Sequence, residues 1–440
     1  MKDLQKGDKK LLNAWAFYYW ANSVYTLTIA SAVFPNFYEA LFADRDHYID
    51  VFGMHLKNTA LISFITAFAF LVVSFISPFL SGIADYVGNK KSFLKFFCYL
   101  GALSCMGLYW FNLDNIYIGL AFYFFGLIGF WGSLVFYNSY LPDIAFEEQQ
   151  DRISAKGYSL GYFGSVILLL VNLAMIMKPN WFGIVGTADQ KASEIAMRYS
   201  FIMVGVWWIL FSQYTYYYLP KGRKSSTERL TKSVIFNGFK ELKKVWALLQ
   251  QNIPLKRYLG GFFVSSMAVQ TVVLVATYFG AQEIKWESKE QGTFGLIICI
   301  LLIQIVGIIG AFITSRASTK YGNIPTLIVI NFIWVIFCVI VYFIYLPVHF
   351  YIAATIAGFV MGGIQALSRS TYSKLLPETK DTASFFSFYD VAEKIGIVIG
   401  MCVYGIIDQI TGSPRPAIAV LGVFFISAIF LLRRVPKKAL

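Results

Sequence analysis

Charge is scarce in this chain of 440 residues: Asp, Glu, Lys and Arg together make up 14%, against 58% hydrophobic residues, and the mean hydropathy is +0.61. Too little polar surface is available to clothe such a core in water, so a soluble protein of any domain count is excluded. Short segments of alternating polar and apolar residues are also lacking, whereas apolar runs of about 20 residues recur between polar breaks. A membrane β-barrel is thereby set aside. A helical bundle is expected, because inside lipid only helices and closed barrels satisfy their own backbone.

Other scarcities narrow the chemistry. The three histidines, His47, His55 and His349, lie at the ends of apolar spans without mutual spacing, so no metal site is expected. The five cysteines (Cys98, Cys105, Cys299, Cys338, Cys402) fall inside apolar spans and read as buried small hydrophobes. No paired catalytic carboxylates, histidine cluster or nucleophile–base pair is evident, so enzymatic activity is not expected. Gly161-Tyr162-Phe163-Gly164 lacks the context of a phosphate loop and reads as a close helix approach. No cofactor is implied. There is no Asn-x-Ser/Thr sequon, which fits a bacterial inner membrane.

What is present is organised by length. After the basic start Met1 to Lys10, the first apolar run extends to about residue 41, too long for a signal-peptide core, and reads as an uncleaved first span. Twelve spans are expected: 11–41, 56–84, 92–111, 115–141, 153–177, 198–219, 256–281, 292–315, 323–345, 349–376, 382–408 and 414–432. The fold class is an all-α polytopic membrane protein. With both termini on one side, that side receives 28 of the 37 Lys and Arg residues and the other receives 8, Lys394 lying within a span. The asymmetry puts both termini in the cytoplasm. It also explains the net charge of +13 as topology, so no nucleic-acid partner is called for.

The longest break, from Pro220 to about Arg257, opens with Lys221, Gly222, Arg223, Lys224, Ser225 and Ser226 and continues as an amphipathic stretch, Ser233 to Gln250. It reads as a solvated linker with a short surface helix. Residues 1–219 and 256–440 then form two six-span halves joined by 220–255. An internal repeat supports the division: Tyr137 to Asp143, ending Leu141-Pro142-Asp143, reappears as Tyr372 to Glu378, ending Leu376-Pro377-Glu378, and Gly88-Asn89 reappears as Gly322-Asn323. Duplicated halves with a substrate site between them at mid-membrane are a transporter's construction.

The costliest stretch is Phe385 to Gly396, where Asp390, Glu393 and Lys394 interrupt an apolar span. Charge at that depth costs at least about 2.5–3.5 kcal/mol on insertion scales and marks a candidate functional site. Lys394 is the leading substrate contact. Its alternative is a fixed ion pair with Asp390, four residues earlier on the same face. Glu393, about 100° around the helix, is a candidate proton acceptor, with Asp390 beside it.

Ser81 to Lys91, Ser-Gly-Ile-Ala-Asp-Tyr-Val-Gly-Asn-Lys-Lys, resembles the loop motif Gly-x-Leu-Ala-Asp-Arg-x-Gly-Arg-Lys of the major facilitator superfamily. Asp85, Gly88 and Lys90 match; Ser81, Tyr86 and Asn89 depart from it, and Thr319 replaces the acid in the second copy. In this pattern Gly88 permits a tight turn and Asp85 meets a neighbouring helix N-terminus or an Arg. Further segments resemble the branch that includes the fungal vacuolar amino-acid effluxer: Tyr18 to Ser23, Tyr137 to Asp143, Arg152 to Gly157, Gly362 to Ser370, and Phe385 to Tyr389 with Lys394. Tyr19 stands where that branch usually has Asp.

The resemblance implies twelve helices in two pseudo-repeats and a secondary transporter moving a small polar solute, an amino acid or organic anion, by alternating access, with a proton as candidate coupling ion. A lipid or lysolipid translocator is the alternative. The resemblance makes spans 1, 4, 7 and 10 cavity-lining, which adds Asn22, Trp20 and Gln365 as substrate-binding candidates; Tyr389, in the span 382–408, joins them as an aromatic lining the pathway. Their other reading is hydrogen bonding and packing between helices. Asp85, Asp143, Arg369 and Glu378 are expected at a cytoplasmic gate. The expected partners are the solute and the bilayer, and the expected state is a monomer.

Overall fold

The computed structural model describes residues 4–42, 48–51, 53–187, 190–220, 232–411 and 413–436. Of the residues singled out above, Lys221, Gly222, Arg223, Lys224, Ser225, Ser226 and His47 lie outside these. The chain begins with α1 (Lys9–Val24), a π-helical segment (Tyr25–Ala32) and α2 (Val33–Ala40), which follow one another as one interrupted span. A two-stranded hairpin follows, β1 (Tyr48–Val51) against β2 (Met54–Lys57). Next come α3 (Asn58–Val87), α4 (Lys90–Gly107), α5 (Ile116–Ser139), the short α6 (Leu141–Ile144), α7 (Glu147–Met177) and α8 (Ala192–Tyr218). The linker supplies α9 (Lys232–Gln251). After it stand α10 (Ile253–Glu283), α11 (Lys289–Tyr321), α12 (Asn323–Tyr342), α13 (Pro347–Leu375), α14 (Thr382–Thr411) and α15 (Pro414–Arg433).

Most expected spans are met within a few residues, and the departures have physical causes. Helix α7 starts six residues early, at Glu147, because Glu147 and Glu148 in its first turn suit the positive end of the helix dipole. The hairpin contradicts the expectation that no alternating segment exists: its strands are four residues each, too short to register as a pattern, and Gly53 at φ 73° closes the turn.

Among the described residues ten helices are long and apolar enough to cross a membrane on their own. The expected spans at 11–41 and 382–408 are not among them. The first is divided by its π-helical segment, and α14 carries Asp390, Glu393 and Lys394. Both are nevertheless embedded in the bundle, α1 against α7 and α8, and α14 against α3 and α10.

Two large apolar cores form. One is drawn almost wholly from residues 11–219 and includes Trp15 and Trp208; the other comes from residues 245–435 and includes Trp334. They meet where α7 packs on α11 and α13, and where α14 packs on α3 and α5. Helices α11 and α13 approach with their backbones in contact, since a Cβ added to Gly362 would collide with the Gly307 carbonyl. At the end of α3, Gly88 takes φ 67°, the left-handed conformation its turn requires.

Candidate functional site

The polar groups between the two cores form two layers. The lower one is a seam at the basal end of the bundle, where the described chain begins and ends: Gly7 N–H donates to the Ile144 carbonyl, and Arg257 donates to the Arg434 carbonyl. There Asp85, at the end of α3, reaches the start of α14. Its carboxylate accepts the Ala383 N–H at 3.2 Å and the Ser384 N–H and hydroxyl at 2.7 Å each. The two N–H groups are backbone donors that a helix start leaves unsatisfied. Of the two partners expected for Asp85, the structure supplies the helix N-terminus. Lys90 pairs with Asp143 at 2.6 Å and also donates to the Thr382 hydroxyl.

A related link lies across the seam, with its charges rearranged. Asp151, near the start of α7, accepts from Lys374 at 2.7 Å, from the Ser318 hydroxyl at 2.9 Å and from Asn323 at 3.0 Å. Where Thr319 stands in place of the acid of the first copy, the acid is supplied by the facing helix. Glu378 is exposed and takes no part in these links.

Between the two links sits Arg369 of α13, 1% exposed. It donates to the Ser154 hydroxyl at 3.0 Å, the Ser154 carbonyl at 3.1 Å and Asn138 at 3.2 Å. Its guanidinium lies over Trp15, Tyr19, Tyr137 and Tyr158, at 4.8, 4.9, 5.6 and 4.6 Å from the ring centroids.

The upper layer holds the charges of α14. Lys394 is 1% exposed and forms a buried ion pair with Asp390, with its ammonium 4.1 Å from the Trp131 ring centroid on α5. Glu393 stands 3.8 Å from Lys394 and accepts from Gln270 of α10 at 2.8 Å. Gln365 accepts from the Tyr162 hydroxyl at 2.9 Å, which ties α13 to α7. Beyond these, Leu27 and Ser31 help to close a 140 Å³ cavity whose other walls are mostly apolar, Val272, Phe279, Trp334 and Phe350 among them, with Thr277 and Gln304 as polar exceptions.

The structure therefore brings Lys394, Asp390 and Glu393 together, and sets Gln365 on the same interface. Trp20 and Asn22 are placed elsewhere. Trp20 stacks on Trp207 at 5.5 Å and meets Phe163 and Phe211, a packing site on α7 and α8. Asn22 is fully buried on the stripe that carries Trp15 and Tyr18 of α1 and Tyr25 at the start of the π-helical segment, whose rings face Tyr137 and Phe130 of α5. Tyr389 stacks on Phe262 at 4.0 Å and lies beside Tyr372, within the second core.

Asp151, Lys374, Gln270 and Trp131 were missed as candidates. Of these, Lys374 lies within the repeated segment Tyr372 to Glu378, which marked it as part of the duplication but not as a site.

Comparisons with known proteins agree with this architecture. The family described as "Vacuole effluxer Atg22 like" matches residues 7–439. The uncharacterized MFS-type transporter YxiO of Bacillus subtilis is 29% identical over 442 residues, covering 99% of this chain and 97% of its own. Autophagy-related protein 22 of Pyricularia oryzae is 20% identical over 528 residues, covering 96% of this chain and 75% of its own.

Among solved structures, the major facilitator transporter FucP superposes with a TM-score of 0.70 at 14% identity, covering 97% of this chain and 98% of its own. The proton:xylose symporter XylE gives 0.66 at 14% identity, covering 97% and 95%. The fold, the matched length and the relatives converge: the chain belongs to the vacuole effluxer Atg22-like family and is a multi-pass membrane transporter of the major facilitator superfamily.

Proposed function

We propose that this transporter is a secondary carrier of a small polar solute, with an amino acid or organic anion as the class to test, and that it works by alternating access. Two units, 1–219 and 256–440, joined by 220–255, would rock about the layer that holds Lys394 and Gln365. The observation that carries the reading is the basal seam. Asp85 to Ser384, Lys90 to Thr382, Asp151 to Lys374 and Arg369 to Ser154 each join a residue before 220 to one after 316. Parting the units there breaks every one of these links and leaves each apolar core whole. In this structure the seam is shut.

The excess of Lys and Arg supports a cytoplasmic basal end, and with it cytoplasmic termini; the membrane proposed is a bacterial inner membrane. Proton coupling is read from the α14 charges. Two carboxylates, Asp390 and Glu393, share one ammonium, so one of them can take up a proton as the layer changes its exposure. A monomer suffices for this cycle.

Uptake by proteoliposomes tests the proposal once a thermal-shift screen of amino acids, organic anions, peptides, sugars and lysolipids has named a solute. Lys394→Ala should lower uptake at least tenfold, and unchanged uptake removes Lys394 from the site. An imposed pH gradient should drive or alter the flux; indifference to it ends the proton reading.

A further inference from the structure

Arg369 is balanced differently from the lysines of the basal seam. Lys90 faces Asp143 and Lys374 faces Asp151, whereas the groups described in contact with Arg369 are neutral: Ser154, Asn138 and four aromatic rings. Three of the guanidinium's five N–H groups go to Ser154 and Asn138, and the cation's faces are left to the π-clouds.

The rings also pack on one another. Trp15 stacks on Tyr137 at 4.6 Å and donates its indole N–H to the Tyr137 carbonyl at 2.9 Å. Tyr19 packs on Tyr137 at 5.1 Å and on Tyr158 at 4.6 Å. All four rings come from α1, α5 and α7, so the box belongs to one side of the seam and its occupant to the other. Gly157 keeps room in it: a Cβ there would stand 3.3 Å from the Tyr137 hydroxyl and 3.4 Å from Arg369 Nη2. That hydroxyl is buried beside the cation, a polar edge to an otherwise aromatic box.

We propose that the Trp15, Tyr19, Tyr137 and Tyr158 box is an organic-cation site, and that Arg369 fills it as a tethered stand-in while the seam is shut. Aromatic boxes of this kind select alkylammonium and guanidinium groups through the negative faces of their rings. When the units part, Arg369 leaves with α13, and the box, still assembled, opens toward the cytoplasm to receive the cationic end of the solute. The role in transport rests on the alternating-access reading above; the binding chemistry is tested apart from it.

The experiment uses purified Arg369→Ala protein in detergent, with thermal unfolding followed at constant ionic strength. Millimolar methylguanidinium or tetramethylammonium should raise the Tm of the variant in a concentration-dependent way, sodium should not, and the native protein, its box already filled, should not respond. Arg369→Ala/Tyr158→Ala should lose the rise. The proposal is overturned if the organic cations act no differently from sodium, or if the native protein or the double variant responds equally. Should Arg369→Ala not be isolable alone, the same cations are added during extraction: a recovered folded yield supports the site, and an unchanged yield refutes it. A failure here with solute uptake intact would leave the transporter reading standing.

Discussion

Arg369 shows how a membrane interior tolerates a lone cation. Stripping a guanidinium of water costs several kcal/mol. Each desolvated ring face returns roughly 2 kcal/mol, and three hydrogen bonds to neutral oxygens add to that. No acid is needed, and Tyr19 stands at the position where the branch pattern carries Asp. Introducing that acid is informative. Tyr19→Asp would place a carboxylate next to the guanidinium, convert a π contact into a charge pair and favour the shut seam. Tm should rise and solute uptake should fall, about tenfold for each 1.4 kcal/mol by which the shut state gains. A variant with both quantities at the native values would show that Arg369 does not feel residue 19.

Elements were more legible than contacts. Spans of 20 or so apolar residues announce themselves, since a bilayer core of about 30 Å sets their length. The Asp390–Lys394 pair could be read from its spacing of four residues on one helix. Asp151 and Lys374 are 223 residues apart, and no local pattern announces their pairing. The same limit applies to Trp20 and Asn22, which one motif holds two residues apart although helical residues at that spacing point to nearly opposite faces, about 160° apart.

The hairpin and the π-helical segment were hidden because each is shorter than the periodicity that would reveal it. Gly362 is different, for its sequence context gives the residue but not the reason. Gly362→Ala should push α11 and α13 apart, and overpacking of this kind costs about 1–3 kcal/mol. A lowered Tm in detergent checks this, and an unchanged one would mean that the two backbones can separate freely.

For the whole molecule, orientation is the property on which the other proposals depend. Exposed Lys243 lies on α9 near the basal end, where its neighbour Lys244 pairs with Asp381, and exposed Lys178 follows α7 at the opposite end. Cysteine placed at each in turn should react with a membrane-impermeant maleimide from opposite sides. Lys243→Cys should label in inside-out vesicles and Lys178→Cys in right-side-out vesicles, and the reverse pattern would turn the topology over. The two cores, each spanning nearly half of the chain, also lead us to expect that the units move as bodies.

The basal seam has one more consequence. Its acids, Asp85, Asp143 and Asp151, all come from the first 219 residues, whereas Arg369 and Lys374 come from the second half. Lys90 stays with Asp143 on the first half, so once parted the seam becomes a mouth whose net acidic wall, carried by Asp85 and Asp151, faces a basic one, a small capacitor lying across the path. A dipolar solute passing between the plates would be turned to align with the field, its ammonium toward α3 and α7 and its carboxylate toward α13, before it met the water beyond.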